Sequence, residues 1–298
     1  MILSVDNHVL RETFGEEESA RILREAGFTG VDYSFHEWPA GDPLYAEDSL
    51  SYARKIREAL EEAGIVCRQC HAPFDFMIGE EPEETSEHYC RILRAIRMAA
   101  VLGAQHIALH SIYGETATKE TEWSENLRFF RSLIPVCEET GVKIAIENLP
   151  LQASDTPEDL NRMIKELDSP WFGVILDTGH AEMSGIRAGD FVRRLKPGIL
   201  LGLHIQDMAD HKDKHWIPYM GEIDWEDFLT ALWEYGYQGD FSLEIIHFME
   251  SVPPELLPAA HRYAAAVGNW LIGKFSDRRG SACCGVSMKT EEKLCIEI

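Results

Sequence analysis

No apolar run in this chain approaches the roughly 18–20 residues that a membrane-spanning helix needs, so membrane insertion is excluded. Positive charge is scarce as well. Lys and Arg total 28 against 51 Asp and Glu, a net charge of −23 over 298 residues. So acidic a chain repels a phosphate backbone unless its basic groups gather on one face, and the sequence holds no such cluster. Duplex nucleic acid is therefore not an expected partner. Cysteines number seven, at 67, 70, 90, 137, 283, 284 and 295. An odd, scattered set fits a reducing cytoplasm better than a disulfide framework. Cys67-Arg-Gln-Cys70 has C-x-x-C spacing, but the second pair that a structural zinc site would want is missing. If 65–71 form a strand, Cys67 and Cys70 are expected on opposite faces, as small buried side chains. A glycine-rich phosphate turn is also absent. Asp6-Asn7-His8-Val9 follows the first apolar run, which counts against an open dinucleotide-binding sheet. The opening Met1-Ile2-Leu3-Ser4-Val5-Asp6 reaches a charge too early for a signal peptide, so the expected location is cytoplasmic.

What the chain does have is one unit, repeated. A short β-branched apolar run is followed by a polar residue and then by a longer amphipathic stretch. The runs are Ile2–Asp6, Gly30–Phe35, Ile65–His71, His106–His110, Lys143–Glu147, Gly173–Asp177, Leu200–His204 and Phe241–Ile245. Their ends lie about 27–40 residues apart, the length of a strand, a helix and two loops. Helix signals fill the gaps. Thr13-Phe14-Gly15-Glu16 reads as a capping box opening the first helix, which ends at Gly27. Helices are predicted over 83–102, 124–140 and 255–273 from their apolar spacing. Thr156-Pro157 and Asp224-Trp225 read as helix starts, the latter helix ending at Tyr235-Gly236. Eight strand–helix alternations without a break in composition predict an α/β fold, a single-domain (β/α)8 barrel over 1–275. Residues 276–298 form a small, polar, cysteine-bearing C-terminal tail.

In such a barrel ligands collect at the C-terminal ends of the strands. His71, His110, Glu147, Asp177 with His180, His204 with Asp207, and Glu244 stand at or beside those ends. A loop adds Asp213-Lys214-His215. These residues converge on one mouth. Carboxylates packed together repel unless protons or a cation compensate them. Mixed imidazole and carboxylate ligands suit one divalent metal. Manganese and zinc come first, with cobalt, iron or magnesium after them. His36, Trp38, Phe74, Trp123, Trp216 and Tyr219 fall in loops on the same side, where they would line a substrate.

Ile146-Glu147-Asn148, Leu176-Asp177-Thr178-Gly179-His180, His204-Ile205-Gln206-Asp207 and Ser242-Leu243-Glu244 together resemble the xylose isomerase-like barrel superfamily. Within it the chain resembles the sugar phosphate isomerase/epimerase group. The resemblance spans about 1–273 and implies a TIM barrel with a metal held by Glu147, Asp177, His204 and Glu244. It further implies an enzyme acting on a small sugar, sugar phosphate or sugar-derived keto acid through a metal-stabilised enediolate. Glu147 and Glu244 would then be the catalytic base and acid. His180 and His215 would hold substrate hydroxyls, and a homo-oligomer is compatible with the sequence.

The endonuclease IV family is similar to this pattern too. That likeness implies up to three zinc ions, with His71 and His110 sharing Glu147, and with His180, Asp213 and His215 forming another site. Hence three rivals: a multi-zinc hydrolase of a phosphoester other than duplex DNA, a dehydratase, and a non-catalytic sugar-binding barrel. One departure stands out. Ketose 3-epimerases carry an arginine shortly after the strand-seven histidine, and this chain has Met208-Ala209-Asp210-His211-Lys212.

Overall fold

Six parallel strands lie side by side in chain order: β2 (Gly30–Ser34), β3 (Val66–His71), β4 (His106–Leu109), β5 (Lys143–Glu147), β6 (Phe172–Asp177) and β7 (Leu200–His204). A seventh and eighth, β1 (Leu3–Val5) and β10 (Phe241–Leu243), pair with each other in parallel. Single bridges, Asp6 to Asp32 and Ile205 to Leu243, stitch this pair to both edges of the six. The sheet therefore closes into the predicted eight-stranded barrel, in this computed structural model. The structure describes residues 1–35, 48–74, 76–83 and 86–285, with side chains described as far as 278. His36 and Trp38 lie outside the described residues.

An outer ring of helices covers the barrel: α1 (His8–Phe14), α2 (Glu16–Ala26), α3 (Ser49–Ala63), α4 (Glu87–Leu102), α5 (Lys119–Ser132), α6 (Ile134–Thr140), α7 (Pro157–Leu167), α8 (Thr178–Met183), α9 (Ala188–Arg194), α10 (Trp225–Tyr235), α11 (Ile246–Glu250) and α12 (Leu257–Gly285). Their apolar faces pack on the outside of the strands, where Phe129, Phe130, Phe191, Phe228 and Phe275 are fully buried. Each such side chain contributes about 1.5–3 kcal/mol of burial free energy. No helix among the described residues is long and apolar enough to cross a membrane.

Local rules account for most helix ends. Thr156 and Asp159 form a reciprocal capping box at α7, and the Asp224 side chain accepts from Asp227 N at α10. Four expectations need correction. Thr13 does not cap α2; its hydroxyl donates to Val9 O inside α1, and Gly15 is the N-cap, with a φ of 82° that only glycine adopts cheaply. The helix predicted over 124–140 is two, because Pro135 cannot continue the bond ladder; α5 starts earlier, at Lys119. The last helix runs through the expected end of the domain and continues to Gly285.

Cys67 and Cys70, finally, lie on the same side. The pairing of β2 with β3 skips Arg68, a bulge that restores the phase three residues on. Both thiols are buried on the helix side with their sulfurs 3.5 Å apart. Gln69, between them, turns into the barrel, where it meets Asp32 and His106.

One excursion matters for the mouth. After β7 the chain forms an antiparallel hairpin of β8 (Asp207–Ala209) and β9 (Lys212–Trp216). Asp210 and His211, at φ 57° and 53°, make its tight left-handed turn.

Candidate metal centre at the barrel mouth

Glu147, Asp177, His204 and Glu244 come from the ends of β5, β6 and β7 and from the residue after β10. Each offers one ligand atom, and the four atoms lie within 4.8 Å of one another. All four side chains are buried. His204 Nδ1 is 3.3 Å from Glu147 Oε1 and 3.5 Å from Glu244 Oε2. Four atoms of this group are buried without any hydrogen-bond partner: Glu147 Oε2, Glu244 Oε2 and both ring nitrogens of His204, of which Nδ1 is the one turned to the two glutamates. A polar atom left unpaired in the interior costs on the order of 1–3 kcal/mol. Here Glu147 Oε2, Glu244 Oε2 and His204 Nδ1 face one small space, an arrangement compatible with an ion.

The positions are held by neighbours. Asn148 clamps Asp177, its side-chain oxygen accepting from Asp177 N at 2.7 Å and its amide donating to Asp177 O at 3.0 Å. One Asp177 oxygen accepts from His180 N at 2.7 Å and so caps α8. Gly179 leaves room beside it, since a Cβ there would sit 2.5 Å from the Gln206 amide carbon. Gln206 Nε2 donates to Asp177 and, at 2.7 Å, to Asp213, while its carbonyl oxygen accepts from His215 N at 3.0 Å. That last bond pins His215 in a left-handed backbone at φ 45°, strain of the kind found at functional sites.

Around the four lie the other imidazoles. His71 and His110 each place Nε2 3.3 Å from Glu147 Oε2. His71 stacks on His204, and Phe74 stacks on His110 with centroids 4.5 Å apart. His180 and His215 both turn Nε2 to Asp213 Oδ2, at 3.4 and 3.1 Å. Further trios with ligand spacing are His71, His110 and Glu147; His71, His204 and Glu244; and His180, Asp213 and His215.

Burial and pairing pull the protons apart. Burial alone would raise Glu147, yet His204, His110 and His180 together hold its carboxyl well below the usual range. Glu244 goes the other way: burial first, then Glu147 and Asp177, push it up to about 8 against the attraction of His204 and His215. Burial opposes charge on His215, but Asp213 and Glu244 carry it up to about 9. His180 and His204 are raised well above the ordinary imidazole value by Asp177 and Glu244 respectively, against burial. His110, where burial wins, is lowered. Protonated imidazoles thus balance the carboxylates here in the way a cation would.

The cavity over these groups measures about 590 Å³ and is lined by His71, Phe74, Met77, His110, Tyr113, Glu147, Leu149, Gln152, His180, Asp213, His215, Glu244, Ile246 and His247. Eight of the site residues read from sequence therefore share its wall, with Asp177 and His204 buried beneath. Trp123 and Trp216 are placed elsewhere. Trp123 lines a separate cleft of about 290 Å³, its indole donating to Glu166 with Arg162 over its ring. Trp216 projects from the face of β9 opposite His215, beneath Lys214. Asp207 is wholly buried and accepts from Met208 N, Ile223 N and Trp225 Nε1, so it braces the hairpin loop. Sequence reading gave no role to His247, Gln206, Asn148 or Asp32. His247 sits edge-on to His215 at 4.8 Å, with Nδ1 3.1 Å from Glu250. The signal for it was faint, one histidine three places past Glu244.

The fold and its mouth define a class: (β/α)8 barrels whose strand ends carry a ring of imidazoles and carboxylates suited to a divalent ion. The chain belongs to the xylose isomerase-like TIM barrel family, whose model matches residues 20–270. It is 24% identical over 268 residues to an inosose dehydratase of Lactiplantibacillus plantarum, covering 80% of this chain and 84% of that one. An uncharacterised protein of Sinorhizobium fredii is 28% identical over 261 residues, covering 77% and 81%. Among solved structures, a D-psicose 3-epimerase of Clostridium cellulolyticum crystallised with D-tagatose superposes with a TM-score of 0.74 at 16% identity, over 91% of this chain and 99% of that one.

Proposed function

We propose that this protein is a metal-dependent isomerase or epimerase of a small sugar, moving a proton at a carbon next to a carbonyl. The observation that carries the reading is the set of partnerless buried atoms, Glu147 Oε2, His204 Nδ1 and Glu244 Oε2, that lie together at the floor of the cavity. With Asp177, these residues would hold one divalent ion, manganese or zinc by preference. Such an ion supplies Lewis-acid stabilisation of the negative charge that develops on adjacent carbonyl and hydroxyl oxygens.

The protein's own groups do the rest. Glu147 and Glu244, both at the floor of the cavity, would take the proton from the sugar carbon and return one to it. His180 and His215 each engage Nδ1 with a backbone carbonyl and Nε2 with Asp213, so they would hold substrate hydroxyls by exchanging the Asp213 bond for one to the sugar. Phe74, Tyr113 and Leu149 offer an apolar wall to the sugar face and limit water. No Lys or Arg lines the cavity among the described residues, which favours an uncharged sugar over a sugar phosphate or keto acid. The same feature, with the charge of −23, weighs against a phosphoester hydrolase.

A second reading is favoured by one specific observation, the dehydratase relative. Dehydration begins with the same proton abstraction and then expels a hydroxyl. The test is incubation in heavy water with a panel of ketoses and ketone-bearing cyclic polyols, each with added manganese or zinc. Deuterium entering recovered or epimerised ketose supports the isomerase. Loss of water from a cyclic polyol makes it a dehydratase. Binding without exchange in every case leaves only a sugar-binding barrel.

A further inference from the structure

A chain of buried polar groups crosses the barrel beneath the four ligands. His106 of β4, Gln69 of β3, Asp32 of β2, Ser242 of β10 and His204 of β7 belong to it. Asp32 and His204 are 2% and 0% exposed in their side chains. The bonds have a definite sense. Asp32 accepts from the Gln69 amide nitrogen and, at 3.1 Å, from the Ser242 hydroxyl. Since Gln69 turns its nitrogen to Asp32, its oxygen accepts from His106 Nε2 at 2.9 Å. Burial lowers His106 to about 4, so this ring is neutral and donates one N–H. The protein makes room for the chain at Gly202, where a Cβ would lie 2.4 Å from Gln69 Oε1.

Two atoms in this row are left over. Asp32 Oδ1 is buried without a partner, and so is His204 Nε2, which lies 3.2 Å from Asp32 Oδ2 but outside hydrogen-bond alignment. Nε2 thus stands beside the oxygen that Gln69 and Ser242 already reach, on a carboxylate whose other oxygen is still open. Every hydrogen bond onto Asp32 runs inward, so the imidazole atom beside it must carry hydrogen. The other ring atom, Nδ1, points at Glu147 and Glu244.

We propose that Asp32 is a positioning residue for the metal centre: it holds the Nε2–H of His204 from below, which fixes the ring so that Nδ1 presents its lone pair to the ion. The proposal rests on the metal reading above. Backing of a ligating histidine by a carboxylate fixes its orientation and raises its basicity. What is particular here is the route, from the opposite wall of the barrel and through β2.

The experiment measures zinc affinity by competition with a chromogenic chelator for the full chain, for Asp32→Asn and for Ser242→Ala. Asp32→Asn is expected to weaken zinc roughly tenfold to hundredfold. Ser242→Ala removes a hydrogen bond from the same carboxylate without touching His204, and zinc affinity should stay at the parent value. Equal losses in both would mean a general disturbance of the core and would overturn the proposal, as would full affinity in Asp32→Asn. Nitrogen-15 spectra of histidine-labelled, zinc-loaded parent protein need no altered carboxylate, with the His204 signal assigned by its loss in His204→Gln. They should show hydrogen on Nε2 and metal on Nδ1; the reverse arrangement overturns the proposal even if Asp32→Asn fails to fold. If the parent binds no zinc, the metal reading falls by itself. The tautomer, read on metal-free protein at alkaline pH, then still decides the Asp32 contact.

Discussion

Two neighbouring groups at the mouth are built from the same residue types and differ in how their atoms are satisfied. Glu147, Asp177, His204 and Glu244 sit on the barrel rim and leave four buried atoms without partners. His180, Asp213 and His215 come from a short helix and a hairpin, and their atoms are closed on one another and on Gln206. Ligand spacing alone does not separate the two, since both could hold an ion. The unmet bonds do. The open set is suited to a cation, whereas in the closed set both nitrogens of His180 and His215 already have partners.

The comparison breaks most sharply at the carboxylates. Glu147→Gln and Glu244→Gln should each cut the exchange of substrate protons about 10²–10⁴-fold, the usual contribution of a general acid or base. Retention of most activity in either, measured as deuterium uptake, would remove the two-glutamate mechanism. Next comes metal content. Asp177→Ala and His204→Ala should lose the tightly held ion, while His215→Ala keeps it and alters kcat or KM. Elemental analysis after dialysis decides. An ion lost from His215→Ala, or three equivalents in the parent, would put the second group on the metal side.

Proton linkage gives a smaller effect with a definite sign. In the fold Glu244 keeps its proton to about 8 rather than 4.5, and His215 keeps its proton to about 9 rather than 6.5. The folded metal-free protein therefore binds more protons than the unfolded chain in this range, so these groups lose their stabilisation as pH rises through 8 and 9. Glu147 and Asp213, both depressed, act oppositely and lose theirs only in acid. The melting temperature of the metal-free protein should fall between neutrality and pH 9, and zinc should abolish the fall. A metal-free midpoint that climbs over that interval contradicts the proton assignment. The smallest effect is expected at the rim. His247→Phe removes a single acceptor and should raise KM about fivefold, the weight of one neutral hydrogen bond of about 1 kcal/mol, with kcat unchanged. A larger change in kcat would move His247 into the chemistry.

The open set was legible in the sequence because each member ends an apolar run, and a run's end is where a barrel strand meets its mouth. His180 was legible through its place after Asp177-Thr-Gly. What escaped notice lay where one residue's direction depends on another strand. The bulge at Arg68 reversed the expected faces of Cys67 and Cys70, and nothing local to Val66–His71 announces an extra residue. Asp32 and Gln69 read as ordinary polar positions in alternating strands, yet they face inward and meet across the barrel. Trp123 and Trp216 were expected in loops over the mouth, but they stand in α5 and at the end of β9; indoles pack wherever a partner is offered, and Glu166, Arg162 and Lys214 offered one on the outside.

The hairpin between Asp207 and Trp216 gives the barrel a means of variation. Its base is tied down by Asp207, and Gln206 fixes His215 from within. Its tip, the left-handed pair Asp210 and His211, is solvent-exposed and carries none of the groups that reach the cavity. Exposed turns of this kind accept insertions readily. A longer or recharged tip would therefore reshape the lip of the mouth while the side chains on the rim keep their places.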